Sequence, residues 1–506
     1  METNVRCGCS PAAEELELPR GEKVAQALLL AVLFAAPTLL CLYAAIVNDP
    51  DIWWHLRCGD WMLQHHAIPR VDSFSTFGAG KPWVDYSWLY ELLVQKLYLR
   101  LGLVGLVAYT SGMVLAITVA LHHLIKRLQG DFNLAVVLTF VASLALERLY
   151  SPRPWHFTIL FFVLVVDILM HARRTGETRE LFWLPVIFGL WANLHIQFVD
   201  GLLVLGLALV EAVAGRWWSA ARTRLQLGWM VAAMVASIAA TLVNPYGWHV
   251  YRTAYELASQ PGVMDHIAEL QSIPFRFLSD YCVLFLTLGA AAVLAWRREV
   301  KVFETAFLVL AAYLSFRSRR DVWVVVTAAS AIVAAGVGTA VSAPRERWSK
   351  HWFAGPITAV ATGLIVFCGF RMMAVGNVQL SAKLAEDMPV RAAQFVRDKG
   401  LQGPLFNDYS WGGYLMWGLR EPVSIDGRAG VQGTERMDRF GATWSAEPTW
   451  RSDPDLERAG VVIGPVKAPL VQVLRMDPRF ELVFEDKVAA VFVARGGGGS
   501  TVEASQ

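Results

Sequence analysis

Two carboxylates follow the first long apolar segment of the chain. Asp49 and Asp51 come directly after residues 24–47, and a tryptophan pair and His55 follow them. A carboxylate at such a boundary is a candidate general base or ligand for a divalent metal. The run is also typical of a helix exit, where Asn, Asp and Pro end a helix and Trp anchors it at an interface.

A second group of charged residues occurs in two later loops. The run Asp265 to Glu269 precedes one apolar segment, and the tetrad Arg317 to Arg320 separates two others. The guanidiniums of Arg317, Arg319 and Arg320 repel one another in so short a turn, so a lipid phosphate or pyrophosphate would relieve the repulsion. Contact with lipid headgroups without catalysis is the alternative.

Further polar residues lie near the ends of predicted elements. Asn193 and His195 close one apolar segment, and polar groups at that depth line a cavity or hydrogen-bond between helices. Asp408 and Tyr409 follow a predicted strand and open a possible helix, whose first amides favour an anionic or polar ligand. A tight strand-to-helix turn is the alternative there. Arg153 flanks another turn, but charges at a helix end are common and predict no role.

The composition requires lipid around much of the chain. Its 506 residues are 55% hydrophobic and 17% charged, and the mean hydropathy is +0.41. The net charge of +2 provides no overall field for nucleic acid, which we exclude as a partner. The remaining question is how often the chain crosses the membrane.

Eleven apolar segments are candidates for crossing. Basic clusters follow alternate segments, which predicts a cytoplasmic N-terminus and places the long loops and the C-terminal part on the outer face. The candidate segments are 24–47, 103–125, 132–147, 156–171, 180–194, 201–215, 225–243, 279–296, 302–316, 321–341 and 353–371.

The fold class predicted is mainly α, a polytopic helical bundle with a small α/β domain at its C-terminal end. Residues 1–23 form a cytoplasmic tail and 24–372 the transmembrane domain, with an acidic first outer loop at 48–102. Within that loop, 82–100 predicts an interfacial helix. Residues 383–495 form the extracytoplasmic domain, and 496–506 a flexible tail. The strands of the extracytoplasmic domain are predicted near 404–406, 423–425, 461–463, 482–484 and 488–493.

These motifs resemble the GT-C superfamily of integral membrane glycosyltransferases. The run 49–55 is similar to the acidic first loop of that superfamily, and His266 to Glu269 is similar to a Glu-bearing loop motif of oligosaccharyltransferases. Asn407 to Tyr414 stands where those enzymes carry an acceptor-binding motif, but lacks its double Trp. The runs 191–195 and 244–247 complete the likeness across most of the chain.

The resemblance implies a transferase that takes a sugar from a polyprenyl-phosphate or polyprenyl-pyrophosphate carrier to an extracytoplasmic acceptor in the bacterial inner membrane. It implies Asp51 or Asp49 as the catalytic carboxylate, and Arg317, Arg319 or Arg320 near the lipid phosphate. His55, Asn193, His195, Asp408 and Tyr409 would bind substrate, while Glu269 and Asp51 would hold Mg or Mn. The turn 148–155 lacks the acidic pair of oligosaccharyltransferases, so metal-independent transfer stays open.

Two other classes of function compete with this interpretation. A non-catalytic membrane protein could use its outer domain to bind a cell-envelope partner. A transporter or flippase would show discontinuous helices and internal pseudo-symmetry, and the sequence has no evident repeat. Convergence of Asp51, Glu269 and Arg319 on one cavity would favour the enzyme.

Overall fold

Each of the eleven apolar segments overlaps a helix in the computed structural model. The structure describes residues 19–43, 49–76, 79–218, 223–259, 267–297, 301–337 and 354–495. Leading up to the C-terminal domain, the helices are α1 Arg20–Tyr43, α2 Ile52–His65, α3 Trp88–Leu101, α4 Leu103–Leu128, α5 Phe132–Ala145, α6 Trp155–Thr175, α7 Trp183–Leu194, α8 Phe198–Ala214, α9 Leu227–Thr241, α10 His249–Ala258, α11 Leu278–Trp296, α12 Val302–Arg317, α13 Val322–Val337 and α14 Ala354–Met372.

Six stretches among the described residues are long and apolar enough to cross a membrane. They correspond to α1, α4, α6, α11, α13 and α14, and the shorter α5 and α9 are also apolar. The chain is therefore a multi-pass membrane protein. Eleven crossings stay a prediction, as do the cytoplasmic tail and the flexible tail, most of which lie outside the described residues.

Aromatic rings fill the centre of the bundle. Phe162 of α6 meets Trp323 of α13 edge to face at 4.8 Å between centroids, and Phe307 of α12 lies 6.1 Å from Phe162. All three side chains are fully buried. Such contacts hold these helices in one arrangement, because each ring packs against specific neighbours.

Ion pairs join the helices at the end of the bundle that the basic clusters mark as cytoplasmic. Arg173 of α6 donates to both carboxylate oxygens of Glu211 in α8, each at 2.7 Å. Arg127 of α4 donates to Asp167 of α6, also at 2.7 Å. The loops that carry the candidate site residues lie at the other end, and these ion pairs hold the helices together below them.

The loop between α1 and α4 carries two helices that cross closely. A Cβ atom at Gly59 of α2 would lie 2.5 Å from the backbone oxygen of Glu91 in α3, which only glycine avoids. The helix predicted at 82–100 corresponds to α3, which begins later, after Ser87, and its interfacial location stays a prediction. Residues 82–87 form turns and extended backbone.

The C-terminal domain contains a four-stranded mixed sheet with helices around it. Its strands are β1 Leu405–Asn407, β2 Val461–Pro465, β3 Phe480–Glu485 and β4 Ala489–Ala494, in the order β1-β2-β4-β3. β1 runs parallel to β2, and the other pairs are antiparallel. The helices are α15 Asn377–Asp387, α16 Val390–Asp398, α17 Gly412–Leu419, α18 Ala429–Gln432, α19 Thr434–Trp444, α20 Pro454–Glu457 and α21 Pro469–Leu474. The predicted mainly α fold with a small α/β part is confirmed, while its boundaries at 372 and 383 stay predictions.

One predicted strand is wrong, and it shows how the two parts join. Val423 pairs with the first outer loop instead of the sheet: its N–H donates to Phe74 O at 3.0 Å, and its oxygen accepts from Thr76 N at 2.8 Å. Arg428 adds a buried connection, since it donates to Asp426 and also to Asp72 at 2.9 Å. The C-terminal domain is therefore fixed on the loop that carries the first candidate carboxylates.

Candidate active site

Arg153 lies at the centre of three carboxylates from two other loops. Its Nε donates to both oxygens of Asp49 at 2.8 Å, its Nη1 donates to Asp51, and its Nη2 donates to Glu269 at 3.0 Å. The Arg153 side chain is 9% exposed. The three acidic residues proposed from the sequence therefore share one guanidinium. Together with Arg153, Asp49, Asp51 and Glu269 form the carboxylate cluster.

The carboxylate cluster has more negative than positive charge. Burial raises the pKa of Asp51 to about 7; Arg153 opposes this rise, and Asp49, Glu269 and Asp426 add to it. Burial lowers the pKa of Arg153, but attraction to Asp49, Asp51 and Glu269 outweighs burial and raises it well above its usual value. One guanidinium cannot neutralise three carboxylates, so Asp51 is the acid that exchanges a proton near neutrality.

Local backbone geometry and the C-terminal domain position Asp51. The carboxylate of Asp49 accepts from the backbone N–H of Asp51 at 2.9 Å, which fixes the turn before α2. Gly427 packs against the Asp51 carboxylate so closely that a Cβ atom there would lie 1.9 Å from Oδ1. Gly413 leaves similarly little space beside Pro50. Both glycines are needed because any side chain would collide with the loop.

The arginine turn lies beside the Glu269 loop. The backbone N–H of Arg319 donates to Gln271 O at 2.9 Å, two residues after Glu269. Nε of Arg320 is buried without a hydrogen-bond partner, and it lies 3.8 Å from Asp321 Oδ1. Asp265 and His266 of the acidic run lie outside the described residues. The structure thus brings the tetrad and the carboxylate cluster to one end of the bundle.

Tyr86 senses the charges of both groups. Burial raises its pKa to about 12, Arg320 lowers it, and Asp85 and Asp51 raise it further, so the phenol interacts electrostatically with both sides. Tyr86 also contacts the ring of His195 at 6.2 Å between centroids.

Tyr409 reaches the carboxylate cluster from the C-terminal domain, but Asp408 does not. Burial raises the pKa of Tyr409, and Asp51 and Asp426 raise it further while Arg153 lowers it. The Asp408 carboxylate instead accepts from Ser410 N at 2.9 Å and caps the following turn. Burial raises the pKa of Asp408, opposed by that turn's amides. Substrate binding by Tyr409 or Asp408 stays a prediction.

His55 belongs to a second buried group behind the carboxylate cluster. Its Nδ1 lies 2.9 Å from Glu91 Oε1, and the Glu91 carboxyl also lies within hydrogen-bonding reach of the Asp85 carboxyl. Burial raises the pKa of Glu91 well above its usual value, with Asp85 raising it further, and burial raises the pKa of Asp85 to about 6. Burial lowers the pKa of His55, as does nearby Arg153. These carboxyls are therefore expected to hold a proton between them near neutral pH.

Asn193 and His195 have protein partners in this arrangement. Asn193 accepts from Trp88 Nε1 at 3.1 Å and donates to the oxygens of Gly189 and Val243 at 2.8 Å each. Nδ1 of His195 pairs with the Thr158 hydroxyl at 2.8 Å. Asn193 therefore links its own helix α7 to α3 and to the segment after α9, and the Thr158 contact fixes the orientation of the His195 ring. Substrate binding by either residue stays a prediction.

The carboxylates do not form a metal site as they stand. No group of three His, Cys, Asp or Glu residues suited to a metal ion occurs in the part of the chain that the structure describes. The predicted ligands Asp51 and Glu269 both point to Arg153, whose guanidinium already carries the positive charge between them. A divalent ion would have to displace that guanidinium, so no step is assigned to one.

Comparison with known proteins identifies the fold. No protein-family model matches the sequence, and no curated protein matches it. The oligosaccharyltransferase of Archaeoglobus fulgidus superposes with a TM-score of 0.56 over 88% of this chain and 69% of its own, at 10% identity. ArnT of Cupriavidus metallidurans in the apo state superposes with a TM-score of 0.50 over 91% of this chain and 97% of its own, at 16% identity.

These structures identify the fold of the chain. Both are GT-C glycosyltransferases, so the chain has the GT-C membrane fold that its loop motifs predicted. At such low identity the likeness covers the fold, while donor and acceptor depend on the site itself.

Sequence reasoning missed Arg153 as the centre of the site. The only signal available was its position in an outer turn, directly before Pro154.

Proposed function

We propose that the protein is a GT-C glycosyltransferase that moves a sugar from a polyprenyl-phosphate or polyprenyl-pyrophosphate carrier to an acceptor outside the cytoplasm. The observation that supports this most is the pairing of Asp51 with Arg153 beside the Arg317 to Arg320 turn. A base and an anion-binding turn at one end of a membrane bundle are what such a transfer needs. The GT-C fold agrees with it.

In the proposed reaction, the lipid-linked sugar enters from the membrane and its phosphate meets Arg317, Arg319 or Arg320. Asp51 removes the proton from the acceptor hydroxyl or amide, and the acceptor atom attacks the anomeric carbon. The bond from that carbon to the phosphate oxygen breaks, and its electron pair leaves with the phosphate. General-base help and neutralisation of the leaving group each lower the barrier by a few kcal/mol.

Asp51 is better suited than Asp49 to be the base. Both oxygens of Asp49 are taken by Arg153, and its side chain is 7% exposed. Asp51 uses one oxygen, Oδ2, for Arg153 and is 18% exposed, while its other oxygen, Oδ1, packs against Gly427 and makes no ion pair with Arg153. In this scheme Asp49 and Glu269 hold Arg153, and Arg153 holds Asp51 in place.

Transfer is proposed to take place without a metal bound by these carboxylates. The permanent charge of Arg153 fills the centre of the carboxylate cluster. The donor phosphate, which carries the leaving charge, would meet the separate arginine turn. In this scheme Asp51 accepts the proton at one place, and the turn Arg317 to Arg320 stabilises the leaving phosphate at another.

The orientation in the membrane is also part of the proposal. The carboxylate cluster and the arginine turn would face the periplasm of a bacterial inner membrane, together with the C-terminal domain. Single cysteines at the exposed positions Glu481 and Arg252 test this, because a membrane-impermeant maleimide should label both in intact cells after the outer membrane is permeabilised. Labelling only after lysis would place this end of the protein in the cytoplasm.

The direct test is transfer by the purified protein in liposomes. Polyprenyl-phosphate and polyprenyl-pyrophosphate carriers with radiolabelled hexose, pentose or aminosugar are supplied with cell-envelope extract as the source of acceptors. The proposal expects label to move from at least one carrier to a non-lipid-linked or new lipid product. A non-catalytic protein that binds an envelope partner would leave every carrier intact.

A further inference from the structure

A cavity of about 370 Å³ lies away from the carboxylate cluster, between the first outer loop and the C-terminal domain. Its walls come from α2 and α3 on one side and from α16 and α17 on the other. The volume is within the range of roughly 300–1,000 Å³ that small-molecule sites occupy. None of the residues predicted from the sequence lies in it.

Aromatic rings form one wall of the cavity. Trp417 lines it together with Tyr98 and Tyr414, and the Trp417 ring lies 5.7 Å from that of Tyr98 and 5.8 Å from that of Tyr414. The face of an aromatic ring carries partial negative charge, which attracts the weakly positive C–H groups of a sugar ring. Trp417 is partly exposed, so its ring is available to a ligand.

Polar groups with unmet hydrogen-bonding capacity line the remaining walls. Gln95 is 3% exposed, and its Oε1 has no hydrogen-bond partner among the residues that the structure describes. The close crossing at Gly59 holds this side chain, since a Cβ there would lie 2.7 Å from Gln95 Cβ. A buried amide oxygen without a donor is costly, so a ligand that donates a hydrogen bond would stabilise the site.

The charges in the cavity select among ligands. Arg397 and Arg420 line it with one carboxylate, Asp60, which is 3.4 Å from Arg420. Asp60 already accepts from Arg57 and Gln64, and Arg397 donates one N–H to Gly418 O. The remaining N–H groups of the two guanidiniums can donate to a ligand, while Gln95 Oε1 needs a donor. A phosphate alone supplies only acceptors at neutral pH, whereas sugar hydroxyls supply both, and a carboxylate on the sugar would match the surplus positive charge.

We propose that this cavity binds a saccharide, with preference for one that carries a carboxylate such as a uronic acid. The first turn of α2 follows Asp51, and Asp60 lies nine residues later, about 13 Å along the axis. An oligosaccharide bound here could extend toward the carboxylate cluster. That the saccharide is the acceptor rests on the proposed function; the binding does not.

Saturation-transfer NMR on the full-length protein in phosphatidylcholine nanodiscs tests the proposal. Digalacturonate should receive saturation at its ring protons and bind more tightly than galactobiose, its neutral match. Trp417→Ala and Gln95→Leu should each weaken binding about tenfold. Trp248→Ala is the matched control, because Trp248 is exposed and lies outside the cavity. Arg420→Gln should reduce the preference for digalacturonate.

Three results would overturn the proposal. They are no binding of either disaccharide at millimolar concentration, binding by the Trp417 and Gln95 variants equal to that of the wild type, or loss of disaccharide binding when phosphatidylglycerol replaces part of the phosphatidylcholine. The last would identify a lipid headgroup site. Asp51→Asn should bind digalacturonate normally whether or not it transfers sugar. A wild-type protein that binds digalacturonate but transfers no sugar would refute the proposed function and leave the saccharide site standing.

Discussion

Arg153 and Asp51 form a hydrogen-bonded ion pair although 102 positions separate them in the chain. Glu269, 116 positions beyond Arg153, bonds the same guanidinium. Three loops therefore depend on one side chain for their arrangement. This relationship explains why the site could assemble at one end of the bundle, and it determines what each substitution should do.

Replacing Arg153 should destabilise the protein. Arg153→Met leaves Asp49, Asp51 and Glu269 close together without a counter-charge, and breaking such a buried pair costs about 3–5 kcal/mol. A thermal unfolding assay in detergent should show a clearly lower melting temperature. The exposed Arg252, which pairs with Glu256 one turn later, is the control, and Arg252→Met should change stability by less than about 0.5 kcal/mol.

A double variant checks that the loss comes from like charges. Adding Asp49→Asn to Arg153→Met removes one of the uncompensated carboxylates, so part of the lost melting temperature should return. If Arg153→Met melts like Arg252→Met, or if the second substitution lowers stability further by its full individual cost, Arg153 does not hold the cluster together.

Chelation should leave the transfer rate unchanged. Arg153 supplies the positive charge between Asp51 and Glu269, so EDTA is expected to alter the rate by less than about twofold. The measurement is transfer by the liposome-reconstituted protein before and after chelation, then after adding Mg²⁺ or Mn²⁺. A rate that EDTA abolishes and Mn²⁺ restores would show that a metal takes part.

The rate of transfer should rise with pH through about 7. Burial raises the pKa of Asp51 to about 7, and a general base must be ionised to accept a proton, so activity is lost as Asp51 becomes protonated below that pH. Well below pH 7 the rate should fall about tenfold per pH unit. Measuring initial rates from about pH 5 to 8 tests this. A flat profile over that range would remove Asp51 as the base.

Arg428 should be needed to hold the C-terminal domain on the first outer loop. Its side chain is 2% exposed and bonds Asp426 and Asp72, so Arg428→Met leaves two buried carboxylates unpaired at a cost of about 3–5 kcal/mol. Limited proteolysis should cut this variant faster within residues 383–495. Arg475→Met is the control, since Arg475 pairs with Glu485 at the surface. Equal cleavage of the two variants would contradict the assignment.

The helices were predictable because lipid imposes a strong pattern on sequence. Each apolar segment overlaps a helix, and α3 ends at Leu101, one residue after the predicted end at 100. The strands near 405, 461, 482 and 489 were also found from short apolar runs. Val423 was misassigned because its backbone partners, Phe74 and Thr76, lie in a loop about 350 residues earlier, and local sequence contains no trace of that pairing.

The site was predictable only in part. Asp49 and Asp51 were identified by their place at the end of an apolar segment, and Glu269 by the likeness of its loop to an oligosaccharyltransferase motif; their roles stay predictions. Arg153 could not be identified, because an arginine at a helix end is common and its partners are far away in sequence. Asn193 stood out as polar at membrane depth, yet its amide links its own helix to Trp88 and to Val243. The sequence does not distinguish such a link from a ligand contact.

The most direct test of the account compares Asp51→Asn with the wild-type protein in the sugar-transfer assay. Loss of the base should lower the initial rate by about 10²–10⁴-fold while the melting temperature stays near that of the wild type. Glu481→Gln, an exposed carboxylate on β3, should retain the full rate. A folded Asp51→Asn protein that transfers sugar as fast as the wild type would contradict the central claim.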